Sequence, residues 1–261
     1  MTRWRLLDTG ERDGAWNMAC DVALMARARR TGESVFRTYA WHRPTLSFGR
    51  HEAARAHYDA SAIAAAGVDL VRRPTGGRAL LHHHEVTYSI TAPVEDGVPL
   101  TESVRRFNRL LLRALQRLGV PAVEAAAPRA LRPEGAACFA VPSAGELSLN
   151  GRKLVGSAQV RQDGVLLQHG SILLDDDQGR IAGFAVGPYV PAAPAAALRE
   201  VLGEGAAYAA VRDALQQAVA DAAGGASMGT LVLSPDASLS TADAFDDALV
   251  QFRDPQWTWR R

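Results

Sequence analysis

The sequence predicts an α+β fold, a mixed, largely antiparallel sheet flanked by helices, with a mainly helical C-terminal part. Two dipeptides, Asn150-Gly151 and Asp163-Gly164, each separate segments that read as strands. Such pairs favour type I′ hairpin turns, whose two central residues both need positive φ. Helical periodicity concentrates after residue 180, so helices group at the end instead of alternating with strands as in a doubly wound sheet. No internal repeat or long low-complexity linker divides the chain. All 261 residues are read as one domain, with a sheet-rich core over about 1–175 and a helical tail over about 180–261.

In chain order, residues 17–30 read as the first helix, because Met18, Val22, Met25 and Arg29 fall on one side and Gly32 follows its end. Short strands are expected at 35–41 and 45–48, around a Pro44 turn. A helix over 53–66 closes at Gly67, a strand follows at 68–72, Pro74-Thr75-Gly76-Gly77 forms a loop, and 79–91 reads as one long strand. The strongest helix is 102–118, with Val104, Phe107, Leu111, Leu115 and Leu118 at helical spacing and Gly119 and Pro121 ending it. Leu147 and Leu149 then alternate with polar residues, and strands at 153–161 and 165–174 complete an antiparallel meander. Helices are expected at 195–202, 206–222 and 242–252.

Composition narrows the functions available. A hydrophobic fraction of 48% and a charged fraction of 22% suit a globular chain that buries a core. With 29 basic and 28 acidic residues, a net charge of +1 offers no long-range attraction to nucleic acid or an anionic membrane. The opening residues meet charge before any long apolar run, so no signal peptide is expected, and no stretch reaches the roughly 20 apolar residues of a membrane span. Two cysteines far apart, Cys20 and Cys138, fit a reducing compartment. The chain is expected to be a cytoplasmic monomer.

Four segments could carry chemistry. In Arg72-Arg73-Pro74-Thr75-Gly76-Gly77-Arg78, paired glycines let the backbone approach a ligand and three arginines could hold an anion, although composition alone favours a tight turn with solvated arginines. Cys138, in Gly135-Ala136-Ala137-Cys138-Phe139, could attack an acyl group if a neighbouring cation or backbone N–H cluster lowered its pKa from roughly 8.5. Most lone cysteines are instead small buried hydrophobes, and Cys20, inside a helix, fits that description. On the meander, strand period puts Lys153, Val155, Ser157 and Gln159 on one face and Leu154, Gly156, Ala158 and Val160 on the other. Small residues there leave room for a ligand, and His169-Gly170 interrupts an otherwise apolar strand, though such a lysine is usually solvated and such a histidine usually structural. Finally, His82-His83-His84 invites a metal reading, but adjacent strand residues point to opposite faces, so the three cannot share one ion and no metal is expected.

Taken together the motifs resemble the biotin/lipoate protein ligase and transferase superfamily. Asn17-Met18-Ala19-x-Asp21 and Trp41-x-x-Pro44-Thr45-Leu46-Ser47-Phe48-Gly49 are similar to its entry helix and hairpin. Arg72-Arg73-x-Thr75-Gly76-Gly77-Arg78-Ala79-x-Leu81-His82, with Glu85-x-Thr87-Tyr88-Ser89, resembles its substrate-binding motif. Lys153-x-Val155-Gly156-Ser157-Ala158-Gln159 and Leu167-Gln168-His169-Gly170-Ser171-Ile172 resemble its lysine motif and the following strand, and Phe252, Trp257 and Arg260 resemble its tail.

Within that superfamily the resemblance is to octanoyltransferases of the LipM type, whose cysteine stands in an Ala-Cys-Phe context ahead of a Gly-Arg-Lys strand, as Ala137-Cys138-Phe139 precedes Gly151-Arg152-Lys153. It implies that octanoyl moves from octanoyl–acyl carrier protein through a thioester on Cys138 to the lipoyl-accepting lysine of glycine cleavage H protein, with Lys153 beside the thiol and no cofactor. It further implies that Arg72, Arg73, Thr75, Gly76, Gly77, Arg78, His82, Gly156, Ser157, His169 and Gly170 form the acyl site. Three alternatives stand beside it: an ATP-dependent lipoate–protein ligase, an amidotransferase of the same fold, and a non-catalytic binder of lipoyl domains or acyl chains. Against the ligase, Arg78 stands where ligases commonly have a third glycine, and Gly145-Glu146 where they usually have Asn-Asp. Departures from the octanoyltransferases are His83 and His84 in place of acidic residues, and no aromatic residue in 140–145.

Overall fold

A computed structural model of the chain describes residues 3–94, 97–125, 146–187, 193–223, 229–230 and 242–261. Cys138, the expected nucleophile, lies outside the described residues. The strands are β1 (Trp4–Arg12), β2 (Ser34–Trp41), β3 (Thr45–Phe48), β4 (Asp69–Arg72), β5 (Leu80–His82), β6 (Glu85–Pro93), β7 (Val123–Glu124), β8 (Leu147–Leu149), β9 (Arg152–Lys153), β10 (Val155–Gln162), β11 (Val165–Leu173) and β12 (Gly229–Thr230). The helices are α1 (Gly14–Thr31), α2 (Ala54–His57), α3 (Ala60–Ala65), α4 (Leu100–Arg117), α5 (Arg199–Leu202), α6 (Tyr208–Ala222), α7 (Ala242–Arg253) and α8 (Pro255–Thr258).

The main sheet has six strands in the order β10-β11-β6-β2-β1-β12. Pairing is antiparallel from β10 to β2 and parallel across β2, β1 and β12, so the sheet is mixed and largely antiparallel, as the sequence predicts. Strand period divides the core between its two faces. Phe36, Tyr88, Ile90 and Ile172 pack with Phe107, Leu111 and Leu115 of α4 and Val211, Leu215 and Val219 of α6. On the opposite face Val35 packs with Leu24, and Tyr39 and Trp41 with Met18 of α1 and Phe252 of α7. Asp13 starts α1 by accepting the Trp16 N–H at 2.7 Å, and Gly32 ends it at φ 69°. Among the described residues no helix is long and apolar enough to cross a membrane.

A second sheet, β4-β3-β5, packs Leu46, Phe48 and Leu81 against Ile63 of α3 and Phe184. A third, β7-β8-β9, carries Lys153. The Asn150-Gly151 and Asp163-Gly164 turns form where expected, with φ of 51° and 75° in each pair.

Several elements depart from the sequence reading. Strand β1 has no counterpart among the expected elements; charged residues dilute its apolar alternation, and parallel pairing with β2 secures it. The expected helix 53–66 is broken at Tyr58, which is extended at φ −131° and ψ 139° and bridges Ala185. The expected helix 195–202 is helical only in α5. The meander changes sheets at Leu154: Lys153 pairs with Ser148, whereas Val155 pairs with Ile172. The single strand expected over 79–91 divides into β5 and β6, with His83 and His84 in the bend between them. The three histidines therefore do not alternate along one strand: His82 points inward, apart from the other two, while the His83 and His84 rings lie 3.6 Å apart on the outside.

Candidate active site

On the α1 side of the main sheet, side chains from β2, β5, β6, β10 and β11 line a small, partly open cavity. Met18, Trp41, Leu80, Gly156, Ala158 and Gly170 give it apolar or sterically small walls, and Arg73, His82, Thr87, His169 and Ser171 supply polar groups. The inward positions of β6 are polar yet buried: Glu85, Thr87, Ser89 and Thr91 are all under 4% exposed. Buried polar groups need partners, and here they form two histidine-centred relays.

In the first relay, Arg73 Nη1 donates to Ser47 Oγ at 3.0 Å, which leaves the Ser47 hydroxyl to donate to His82 Nε2 at 2.8 Å. His82 Nδ1 then donates to Glu85 Oε1 at 2.8 Å. That carboxylate oxygen also accepts from Ser171 at 2.7 Å and Thr87 at 2.5 Å, and Trp41 Nε1 donates to Thr87 at 2.8 Å. Burial holds the His82 pKa below its usual 6.5 despite the charge of Glu85, so the ring is neutral at pH 7. Trp41 stacks on it at 3.9 Å and 16°.

In the second relay, His169 lies between Thr75 Oγ1, 2.6 Å from Nε2, and Asp21 Oδ2, 3.0 Å from Nδ1. The other oxygen of Asp21 accepts from Arg37 Nη1 at 2.8 Å and Ser89 at 2.7 Å. Burial pushes the Asp21 carboxyl up, but the His169 hydrogen bond and the Arg37 charge outweigh it and hold the pKa below its ordinary value. An anionic Asp21 fixes the proton of His169 on Nδ1 and leaves Nε2 for the Thr75 hydroxyl.

Gly170 lies where two walls cross. A Cβ there would stand 2.4 Å from the Gly156 carbonyl oxygen and 2.9 Å from the Tyr88 ring, because Tyr88 reaches over it to bond Ser157 at 2.7 Å. The glycine loop is equally tight, since a Cβ on Gly49 would stand 1.9 Å from the Gly77 carbonyl oxygen.

The expected site residues thus fall into groups. His82, Gly156, Ser157, His169, Gly170 and Arg73 line the cavity, and Thr75 reaches it through His169. Arg72 is fully buried elsewhere, donating to the carbonyls of Gly49, Glu52 and Thr258 at 2.7–2.9 Å. Arg73 also fastens its own loop through the carbonyls of Ser47, Gly76 and Arg78 at 2.7–3.2 Å. Gly76, Gly77 and Arg78 shape the loop and are not in the cavity wall. Lys153 stands just before the part of β10 that lines the cavity; it is 3% exposed, and its ammonium donates to Glu146 at 2.7 Å. Cys20 is fully buried and its thiol is pushed up to about 11 by burial, which rules it out as a thiolate at neutral pH.

Asp21, Ser47 and Glu85 stand within the motifs that carry the family resemblance but are not among the expected site residues, and neither is Glu146. A signal existed for Glu85, which begins a strand whose polar positions recur at every second residue through Thr91. For Asp21 the signal was a carboxylate within an apolar stretch of helix, Met18-Ala19-Cys20.

Residues 13–220 match the family model described as the lipoyl protein ligase A/B catalytic domain. The chain belongs to this family. It is 42% identical over 240 residues to octanoyltransferase LipM of Symbiobacterium thermophilum, covering 85% of this chain and 87% of that one. It is 48% identical over 186 residues to octanoyltransferase LipM of Kyrpidia tusciae, covering 68% of each. A crystal structure of lipoate-protein ligase A bound with ATP superposes with a TM-score of 0.78 at 18% identity, over 99% of this chain and 98% of that one. The bi-partite lipoate protein ligase of Thermoplasma acidophilum also gives 0.78 at 18%, over 99% and 97%. These structural likenesses establish the shared fold.

Proposed function

We propose that this protein is an octanoyltransferase of lipoate biosynthesis, taking octanoyl from octanoyl–acyl carrier protein onto Cys138 and passing it to a lysine of a lipoyl-accepting protein such as glycine cleavage H protein. The observation that carries the reading is the 42% identity to an octanoyltransferase LipM over 85% of the chain. The cavity supports it. Gly156, Ala158 and Gly170 leave an apolar slot suited to an acyl chain, whose burial gains roughly 0.8 kcal/mol per CH₂.

The chemistry then balances without ATP. The Cys138 thiolate attacks the donor thioester carbonyl, the carrier thiol leaves with a proton, and the acceptor amine later displaces the cysteine thiol. Lys153 would stabilise the thiolate and the developing oxyanion. Arg72 and Arg73 commit donors to backbone carbonyls, which assigns them to shaping the loop. Incubating the protein with octanoyl–acyl carrier protein and H protein tests the reading: octanoylated H protein should form without ATP. Modification of H protein only from free octanoate and ATP would overturn it in favour of a ligase.

A further inference from the structure

We infer that the bend between β5 and β6, together with the segment following β11, forms a binding site for a divalent late transition-metal ion of the zinc class, held by His83, His84 and Asp177. Among the described residues these three bring one imidazole nitrogen each and one carboxylate oxygen to within 4.8 Å of one another. Two neutral imidazoles and one carboxylate suit zinc, nickel, copper or cobalt, whereas magnesium and calcium favour all-oxygen shells.

The backbone brings the ligands together before any ion arrives. Leu174 N and Asp175 N donate to the His84 carbonyl at 2.8 and 3.2 Å, which ties the bend to the segment carrying Asp177. Within the bend, Glu85 N donates to the His83 carbonyl at 3.1 Å. Arg180 Nη1 donates to Asp177 Oδ2 at 3.2 Å, which fixes the carboxylate in place. His83 Nδ1 and Asp177 Oδ2 already share a proton at 2.8 Å. Two ligands on one tetrahedral zinc stand about 3.4 Å apart, so an ion could replace that proton after the pair opens by about 0.6 Å. The His83 side chain is 31% exposed and Asp177 18%, leaving a solvent side where water can complete the shell. His82 takes no part, since both its ring nitrogens are engaged in the inner relay.

Calorimetric titration of the full-length protein with zinc chloride tests the site, and His84→Ala and Asp177→Asn serve as variants. The wild type should bind one equivalent and melt at a higher temperature with zinc than without it. Loss of a supporting partner costs metal affinity about 10–100-fold, so loss of a ligand in either variant should weaken binding at least that much. Their metal-free melting temperatures should stay near that of the wild type, and Asp177→Asn, close to isosteric, guards against misfolding in the other variant. Cys138→Ala should bind zinc like the wild type. No binding, binding that survives both ligand variants, or binding lost with Cys138 would overturn the inference.

Discussion

Asp21 is a fully buried acid whose charge is needed to satisfy another. It lies 2.8 Å from Arg37, which is also fully buried. Its folded pKa lies below the ordinary 3.8, so its stabilising contribution is complete above that value and is lost as pH falls through the lower folded one. Asp21→Asn should lower stability at pH 7 by about 3–5 kcal/mol, because Arg37 loses its counter-charge. The same variant should lose stability less steeply than the wild type below pH 3.8, since it lacks this titrating group. Urea midpoints at neutral and acid pH check both outcomes. At Lys153, replacement by alanine should slow octanoyl transfer about 10²–10³-fold. Glu146→Gln keeps an acceptor for the ammonium and should cost less; equal losses in the two variants would show that Glu146 acts other than through Lys153. Steady-state kinetics with octanoyl–acyl carrier protein separates the cases.

At the scale of elements, the turn chemistry was readable and the strand breaks were not. Asn150-Gly151 and Asp163-Gly164 dictate positive φ locally, so both hairpins could be placed from four residues. The break at Leu154 and the bend at His83-His84 depend instead on which distant strand accepts each half, and no local signal carries that. Site residues that lie within motif runs, such as His82, Gly156, His169 and Gly170, were legible for the same local reason. Asp21 also lies in such a run, but its role was not legible there, because it comes from His169, 148 positions away. The crossing of β10, β11 and Tyr88 also makes a prediction. Gly170→Ala places a Cβ 2.4 Å from a carbonyl oxygen, and overpacking of this kind costs about 1–3 kcal/mol. Gly179→Ala, with nothing within 4 Å of its Cβ, should change stability by no more than about 0.5 kcal/mol. Urea denaturation of the pair shows whether close packing or loss of a glycine is responsible.

Across the whole molecule, the C-terminal segment locks the glycine loop in place. Trp257 Nε1 donates to the Arg72 carbonyl at 3.0 Å, Arg72 Nε donates to the Thr258 carbonyl at 2.9 Å, and Arg260 donates to the Arg50 carbonyl at 2.5 Å. Trp259 packs 5.3 Å from Phe48, which pairs with Arg72 at the end of the strand leading to that loop. Removing residues 254–261 would strip a partner from the buried Arg72 guanidinium, and should cost roughly 3 kcal/mol or more. A melting temperature unchanged by the truncation would contradict this role. The sequence did place Trp257 and Arg260 in a family resemblance, but their contact with Arg72 and Arg50 exists only once the C-terminal segment folds back onto the first part of the chain.

The central claim concerns a single thiol. Incubation with octanoyl–acyl carrier protein alone, followed by intact-mass analysis and peptide mapping, should reveal one octanoyl adduct on Cys138 and none on Cys20, whose thiol is buried with a pKa near 11. The adduct should disappear in Cys138→Ala and discharge when acceptor protein is added. Octanoyl transfer that persists in Cys138→Ala would contradict the covalent route.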